Sequence, residues 1–378
     1  MVRMFNEYLR QIDVTCRCRL AELFPAGVPK GILDRYNLEF DCMVATKSED
    51  KVYEFMKLAE AARENKMFFG VCGVANDSLI SFLVGNYDVD PLEAYYYCSD
   101  CGHYERISGY WYGAEAPDKR CPKCGKLLKG EGCSLDWRFT WGGKGYKGMH
   151  YEYIAQPEFM PYAKSCLESL YKDYNVVDLA EISSWFQVTE KNEEKINRGF
   201  AILPYGKTAE DFSFFKMQLS DGSVAHYVDF NAAEGNGETY ILKIMFNWID
   251  NPDRYFDKLL EKYDGKSLKD KAQYITSLDS VIGSSRGYKW LFSSREALYR
   301  MLIEQGNRAA IAFEFVDRVR RGHALTTNTI CDERWEAAKE ATEISNDILY
   351  TCGEVSYLAS EGTAIALMNF QKYCGKEV

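Results

Sequence analysis

Two cysteine pairs carry the strongest chemical signal in the chain: Cys98-Ser-Asp-Cys101 and Cys121-Pro-Lys-Cys124, separated by nineteen residues. Four thiolates in two C-x-x-C turns can close a tetrahedron around one zinc ion. Gly102 and Gly125 follow the second cysteine of each pair, where the backbone must bend back toward the metal. A shell filled by four cysteines leaves no position for a substrate water, so this metal is expected to shape the protein and do no chemistry. Free or disulfide-linked cysteines are the other reading, and the N-terminus, which has no secretory apolar core, speaks against disulfides. The remaining nine cysteines (Cys16, Cys18, Cys42, Cys72, Cys133, Cys166, Cys331, Cys352, Cys374) form no further C-x-x-C and read as reduced thiols.

A second constellation runs from Gly70 to Ser78, Gly-Val-Cys-Gly-Val-Ala-Asn-Asp-Ser. It follows the apolar strand Met67-Phe68-Phe69 and opens a helix through Leu83. A strand, a glycine-containing turn and a helix N-terminus make a natural phosphate cradle, although two spaced glycines specify it weakly. Farther on, His150 and Glu152 alternate in an expected strand, Met149 to Ile154, so both project to one face. One glutamate beside a histidine is a poor magnesium site, because magnesium prefers hard oxygen ligands in an octahedron.

The elements that must position these residues follow from periodicity. Met4, Tyr8, Ile12 and Leu20 predict an amphipathic helix within residues 1 to 35, ended by the Pro25 to Pro29 turn. Val52, Phe55, Met56, Leu58 and Ala61 predict another from Asp50 to Asn65. Residues 160 to 200 read as helical. Phe200 to Pro204, Asp211-Phe-Ser-Phe and Tyr227-Val-Asp-Phe230 read as strands, with a turn-rich loop from Asn231 to Gly237. From Asn251 the chain reads as almost wholly helical: Arg254 to Lys262, Leu268 to Leu278, Ser294 to Glu304, Ala309 to Arg321, Arg334 to Tyr350 and Tyr357 to Tyr373.

At 378 residues, 47% hydrophobic and 27% charged, the chain is long enough for two or three lobes of ordinary globular composition. It has no run of eighteen apolar residues, so no membrane partner is expected and the cytoplasm is the expected location. A formal charge of −10 argues against tight nucleic-acid binding over a broad surface. Local basic patches remain: Lys119, Arg120, Lys123, Lys126 and Lys129 around the cysteines, and Arg318, Arg320 and Arg321 near a helix end. The 27 tyrosines and 21 phenylalanines suit a large packed core better than base stacking.

Several words of the sequence, in order, resemble the PolC-type alpha subunit of bacterial DNA polymerase III, a C-family replicative polymerase. They are Val89-Asp-Pro-Leu92, Tyr97-Cys98, Ala116-Pro-Asp-Lys119, Cys121-Pro-Lys-Cys124-Gly125 and Trp141-Gly-Gly-Lys-Gly-Tyr-Lys147. The resemblance covers roughly residues 28 to 373. In that family the glycine and lysine run leads into an Asp-Ile-Asp that holds catalytic magnesium; here the place reads His150-Tyr151-Glu152. The family's third aspartate falls on Met245, in a segment ending Asp250-Asn-Pro252. Its triphosphate-gripping Gly-Ser-Arg-Gly-Ser matches Gly70 to Val74, with Cys72 in place of the arginine. A nucleotide contact, Pro-Lys-Ala-His-Ala, matches a stretch in which lysine and histidine are Glu354 and Ser356. Phe292 to Leu325 resembles the fingers. The family's basic stretch before Phe200 is missing, and the chain neither begins with the family's histidinol-phosphatase-like and exonuclease domains nor reaches its clamp-binding region.

The resemblance therefore implies a truncated, degenerate relative with an α+β fold. A mixed-sheet, nucleotidyltransferase-like palm would carry an inserted four-cysteine zinc module and a C-terminal all-helical fingers-like domain. The expected segments are 1–95 (N-terminal helix and first part of the palm), 96–130 (zinc module), 131–160 (palm strand), 161–200 (reduced thumb-like segment), 201–250 (second part of the palm) and 251–378 (fingers-like helices). Zinc is expected and magnesium is not. His150, Glu152 and Met245 are not expected to catalyse, nor the loop of Gly70, Cys72, Gly73 and Ser78 to bind nucleotide. The leading function is a pseudo-polymerase that binds a replication protein or, weakly and salt-dependently, primer-template DNA, with Lys144, Lys147, Arg318, Arg320 and Arg321 as DNA-binding candidates. One alternative is an active polymerase or nucleotidyltransferase with relocated ligands at Asp136, Glu152 and Asp229. Another is a zinc-dependent nucleic-acid-binding protein.

Overall fold

Apolar residues at helical spacing fold the N-terminal part of the chain into α1 (Val2–Leu23), α2 (Lys30–Ala45) and α3 (Glu49–Glu64). These belong to a computed structural model that describes residues 2–85, 89–181, 197–211, 214–218, 222–228, 242–248, 294–320, 337, 339–342, 352 and 360–362. Ile12, Cys16 and Leu20, four residues apart, form the buried stripe of α1. The helix expected within residues 1 to 35 ends at Leu23, and a separate helix, α2, was not anticipated. Pro29, at φ −59° and ψ 140°, has extended backbone that cannot prolong α1, and it starts α2. On α2 the buried face is Ile32, Tyr36, Glu39 and Met43, so a carboxylate lies within an otherwise apolar stripe.

The chain divides into two units, one drawn from residues 1–53, 71–151 and 253–378, the other from residues 54–70 and 152–252. The division falls within β1 (Phe69–Cys72), whose last two residues lead in the first unit through a 3-10 turn, Gly73–Asp77, into the wholly buried α4 (Leu79–Val84). The strand begins two residues later than Met67, because the Phe68 N–H is taken by the Gln156 side chain at 2.7 Å. Two small antiparallel sheets follow. One has the order β3-β2-β6, from β2 (Tyr95–Tyr97), β3 (Tyr104–Arg106) and β6 (Gly130–Glu131). The other pairs β4 (Lys119–Arg120) with β5 (Leu127–Leu128). After α5 (Arg138–Trp141), Phe139 joins a core supplied by α7 (Arg295–Glu304) and α8 (Ala309–Val319), where Leu298, Leu302, Phe315, Val316 and Val319 are fully buried. Ser294 caps α7, its hydroxyl accepting the Ala297 N–H at 2.9 Å.

The second unit is built on a seven-stranded mixed sheet of order β1-β7-β12-β9-β8-β11-β10. Its strands after β1 are β7 (Glu152–Ala155), β8 (Asn175–Glu181), β9 (Asn197–Leu203), β10 (Phe214–Gln218), β11 (Val224–Val228) and β12 (Leu242–Trp248). Among the described residues of 160 to 200, only α6 (Met160–Leu170) realises the expected helix. The rest includes β8 and β9, paired antiparallel from Asn175↔Leu203 to Glu181↔Asn197. The run of buried residues from Phe200 to Leu203 fits a strand covered on both faces, whereas buried Val176 and Leu179 stand three apart, a spacing that reads as helical until β9 pairs with β8. Asp211 lies in a 3-10 turn, its carboxylate accepting the Thr208 N–H at 2.8 Å, and β10 starts only at Phe214. β11 contains Tyr227 and Val228.

Asp229, the Asn231 to Gly237 loop, the Asp250-Asn-Pro252 end, the Arg254 to Lys262 and Leu268 to Leu278 helices, Arg321, Cys331, Glu354, Ser356 and Cys374 lie outside the described residues. The expected helices Arg334 to Tyr350 and Tyr357 to Tyr373 lie largely outside them. Among the described residues no helix is long and apolar enough to cross a membrane, and mixed α and β structure is what the sequence implied.

Candidate functional site

The four expected cysteines converge. Cys98 Sγ lies 3.4 Å from Cys124 Sγ, and Cys101 Sγ 3.5 Å from Cys121 Sγ. All four sulfurs lie within 4.8 Å of one another. Tetrahedral ligands at a zinc–sulfur distance of ~2.3 Å would stand ~3.8 Å apart, so the cage suits a metal of that size. The local backbone explains the convergence. Each C-x-x-C sits at the tip of a hairpin, β2–β3 or β4–β5, and the two turns repeat one hydrogen-bond pattern. Cys98 N–H donates to His103 O at 2.9 Å and Gly102 N–H to Cys98 O at 2.8 Å. Cys121 N–H donates to Lys126 O at 2.7 Å and Gly125 N–H to Cys121 O at 2.9 Å. Gly102 and Gly125 take φ of 66° and 78°, the left-handed region where glycine is at no disadvantage.

Burial raises the Cys98 and Cys121 thiols, but backbone N–H groups aimed at their sulfurs outweigh it and lower both, Cys121 to about 6. Cys101 and Cys124 receive backbone N–H groups too, from His103 and Lys126. Burial and the neighbouring sulfurs nevertheless push both up, Cys124 to about 12. The cage is thus a set of thiols sharing protons that a divalent cation would displace. Tyr96, Ala116 and Leu128 pack beneath it.

Much of the positive charge around the cage is engaged within the module. Lys119 pairs with Glu105 and lies over the Tyr96 ring at 5.2 Å. Lys126 pairs with Asp100 at 2.6 Å, and Arg120 Nη1 donates to Gly125 O at 3.1 Å. Lys123 and Lys129 are exposed.

The glycine-containing turn has the shape of a phosphate cradle, but its helix start is already occupied by the chain. Glu39, fully buried, reaches from α2 to the first turn of α4. Its Oε2 accepts the Ser78 hydroxyl at 2.7 Å and the Trp141 indole N–H at 2.9 Å. Its Oε1 accepts the Leu79 N–H at 3.1 Å and the Arg35 guanidinium. Next to it Asp77 is paired with Arg295, and Arg300 with Glu361, all four buried. Burial pushes the Asp77 carboxyl well up against the pull of Arg295. Glu39, Arg295 and Glu361 were not singled out from sequence. The charged residue inside the apolar stripe of α2 was the available signal.

Glu152 opens β7, and His150 precedes the strand, so the alternation expected of them on one strand is not realised; both are exposed. Parallel pairing of β12 with β7 matches Phe246 with Tyr153 and Trp248 with Ala155. Continuing that register by one residue sets Met245 beside Glu152. Asp136 is held by Arg138 at 2.9 Å and by the Tyr299 hydroxyl at 2.6 Å. Among the described residues the four cysteines are the one group of His, Cys, Asp or Glu side chains gathered closely enough to hold a metal.

The Gly142 to Lys147 run packs as a tight turn. Gly145 has φ 72°, and a Cβ there would stand 2.6 Å from Cys42 Sγ. Lys147 donates to Phe139 O at 3.0 Å, whereas Lys144 is exposed. On α8 and just past it, Arg320 pairs with Asp317 at 2.7 Å, and Arg318 is half-buried.

No family model matches the chain. Curated relatives named DNA polymerase III PolC-type do, at low identity. The Thermotoga petrophila protein is 18% identical, covering 93% of this chain and 32% of its own length. That of Caldanaerobacter subterraneus subsp. tengcongensis is 25% identical over 168 residues, 44% of this chain and 12% of its own. That of Bacillus subtilis is 29% identical over 147 residues, 38% of this chain and 10% of its own. These matches support a distant relationship to PolC-type DNA polymerase III. The chain spans a third or less of the length of these relatives.

Proposed function

We propose that this chain is a PolC-like protein without polymerase activity, acting in DNA replication or its regulation by binding a replication protein or primer-template DNA. On this reading the mixed sheet is the palm, α7 and α8 belong to fingers, and the four cysteines hold a structural zinc that leaves no open coordination position. The observation that carries the reading is the Glu39 carboxylate on the first turn of α4. A triphosphate at this turn would meet a buried anion where it needs free N–H donors and cations. The neighbouring arginine, Arg295, is likewise matched by Asp77. Glu152 beside Met245 supports it further, since a two-metal site requires carboxylates that bridge both ions.

The test is primer extension with magnesium and with manganese. No incorporation is the expected result; robust incorporation abolished by Glu152→Ala would establish the enzyme reading. Binding to a labelled primer-template should be weak and fall steeply with salt, as phosphate contacts on an acidic protein must. Exposed Lys123, Lys129 and Lys144 favour that second mode of binding, and Lys123→Ala with Lys129→Ala should reduce it while extension stays absent.

A further inference from the structure

Beside the zinc module, within the same unit, lies a groove of about 910 Å³, in the size range of ligand sites. Its walls come from α2, from β3 and the loop after it, from the segment before α5, and from α7 to the start of α8. Five rings line it: Tyr104, Tyr110 and Trp111 from the module, Trp137 before α5 and Tyr299 on α7. Tyr110 is 42% exposed and Leu38, from α2, 40% exposed, so apolar surface faces the opening.

The charge along the groove selects among occupants. Its three arginines are each matched by a carboxylate of this chain: Arg35 by Glu39, Arg106 by Glu93 at 2.7 Å, and Arg138 by Asp136 at 2.9 Å. Two further acids are not matched by a cation among the described residues. Asp34 is exposed, and Glu304 receives the Trp111 indole N–H at 2.9 Å. The uncompensated charge is negative and the surface aromatic. Among the described residues phosphates would find no unmatched cation there, whereas a cationic side chain would find two carboxylates. Arg138 already lies 5.0 Å from the Trp137 ring and Arg300 5.5 Å from the Trp111 ring, so these rings chiefly offer apolar surface, to which the exposed Tyr110 adds.

We infer that this groove binds an extended basic segment of a protein partner, its apolar side chains against the tyrosine and tryptophan rings and its arginine or lysine answered by Asp34 and Glu304. The inference deepens the partner-binding reading and rests on it for the class of partner. Peptide titration reads the groove alone, so primer extension by this chain would sink that reading while leaving the groove's preference measured.

The probes are a fluorescein-labelled nonapeptide alternating arginine and leucine, its counterpart with glutamate for arginine, and a labelled oligothymidylate, each titrated by anisotropy against the full chain. The arginine peptide should bind tightest. Asp34→Asn with Glu304→Gln should weaken it about fivefold or more, and Trp111→Ala should weaken it as well. Removing two exposed carboxylates elsewhere, by Glu168→Gln with Asp173→Asn, controls for the overall negative charge and should leave affinity within about twofold. Circular dichroism of each variant checks the fold. Equal loss in the groove and control variants, tighter binding of the glutamate peptide or the oligothymidylate, or no peptide binding at all would overturn the inference.

Discussion

Glu39 Oε2 lies 2.7 Å from Ser78 Oγ, a buried carboxylate of α2 seated on the first turn of α4. The same group takes the Leu79 N–H and the Trp141 indole, so one side chain ties α2, α4 and α5 together. It also fills the place where an anion would otherwise meet the helix start.

Removing that carboxylate should cost stability without creating a nucleotide site. Glu39→Ala removes the acceptor of the Ser78 hydroxyl, the Leu79 N–H and the Trp141 indole and leaves Arg35 its bond to the Asp77 carbonyl but no carboxylate. Losing one partner of a buried pair costs about 3 to 5 kcal/mol. Urea unfolding followed by tryptophan fluorescence should show the loss, and a labelled nucleoside triphosphate should still not bind. A change below about 1 kcal/mol would mean that water replaces Glu39 easily.

The native protein should contain one zinc per chain by elemental analysis. Cys121→Ser should lose the metal and lower the melting temperature, because thiolate binding is coupled to folding of the module. Cys18→Ser, exposed on α1, should do neither. Absence of stoichiometric metal from native protein would refute the assignment.

Restoring acids at the family's positions should not restore synthesis. His150→Asp, Glu152→Asp and Met245→Asp together place carboxylates at the matching positions, yet the turn after β1 stays occupied by Glu39 and Cys72 supplies no cation. Primer extension by the triple variant should remain undetectable. Strong activity would mean that the carboxylates alone were missing.

Stability should depend on pH through Asp90. Burial pushes its carboxyl up to about 6, against the Leu92 N–H and the Tyr95 hydroxyl, which pull it down. Between the ordinary value of 3.8 and about 6 the folded chain holds a proton that the unfolded chain has lost. Stability from this group is therefore present below that window and falls as pH rises through it. Asp90→Asn should flatten the curve there, read as the difference in unfolding midpoint between variant and parent at pH 4.5 and 7. An unchanged slope would assign the dependence to another group.

The cysteine module was legible from sequence because its information is local. Four sulfurs, two glycines and the N–H groups that aim at them lie within two short hairpins, so spacing nearly specifies geometry. The helical character of residues 295–304 and 309–319 was legible for the same reason, with a periodic apolar stripe and a serine cap. β8 and β9 were not, since apolar runs of this length fit helix or strand until a partner strand takes their hydrogen bonds.

The candidate site depended on contacts that spacing does not encode. Glu39 could be noticed in sequence as a charge on an apolar face. That it meets Ser78, Leu79 and Trp141, rather than water or a ligand, follows only once α2 packs on α4 and α5. Position 245 comes level with Glu152 only through the parallel register of β12 on β7, which a slip of one residue would undo. Burial then gives these meetings their weight: without water to compete, a carboxylate and its donors are held together, and which ones meet is settled by the packing of whole elements.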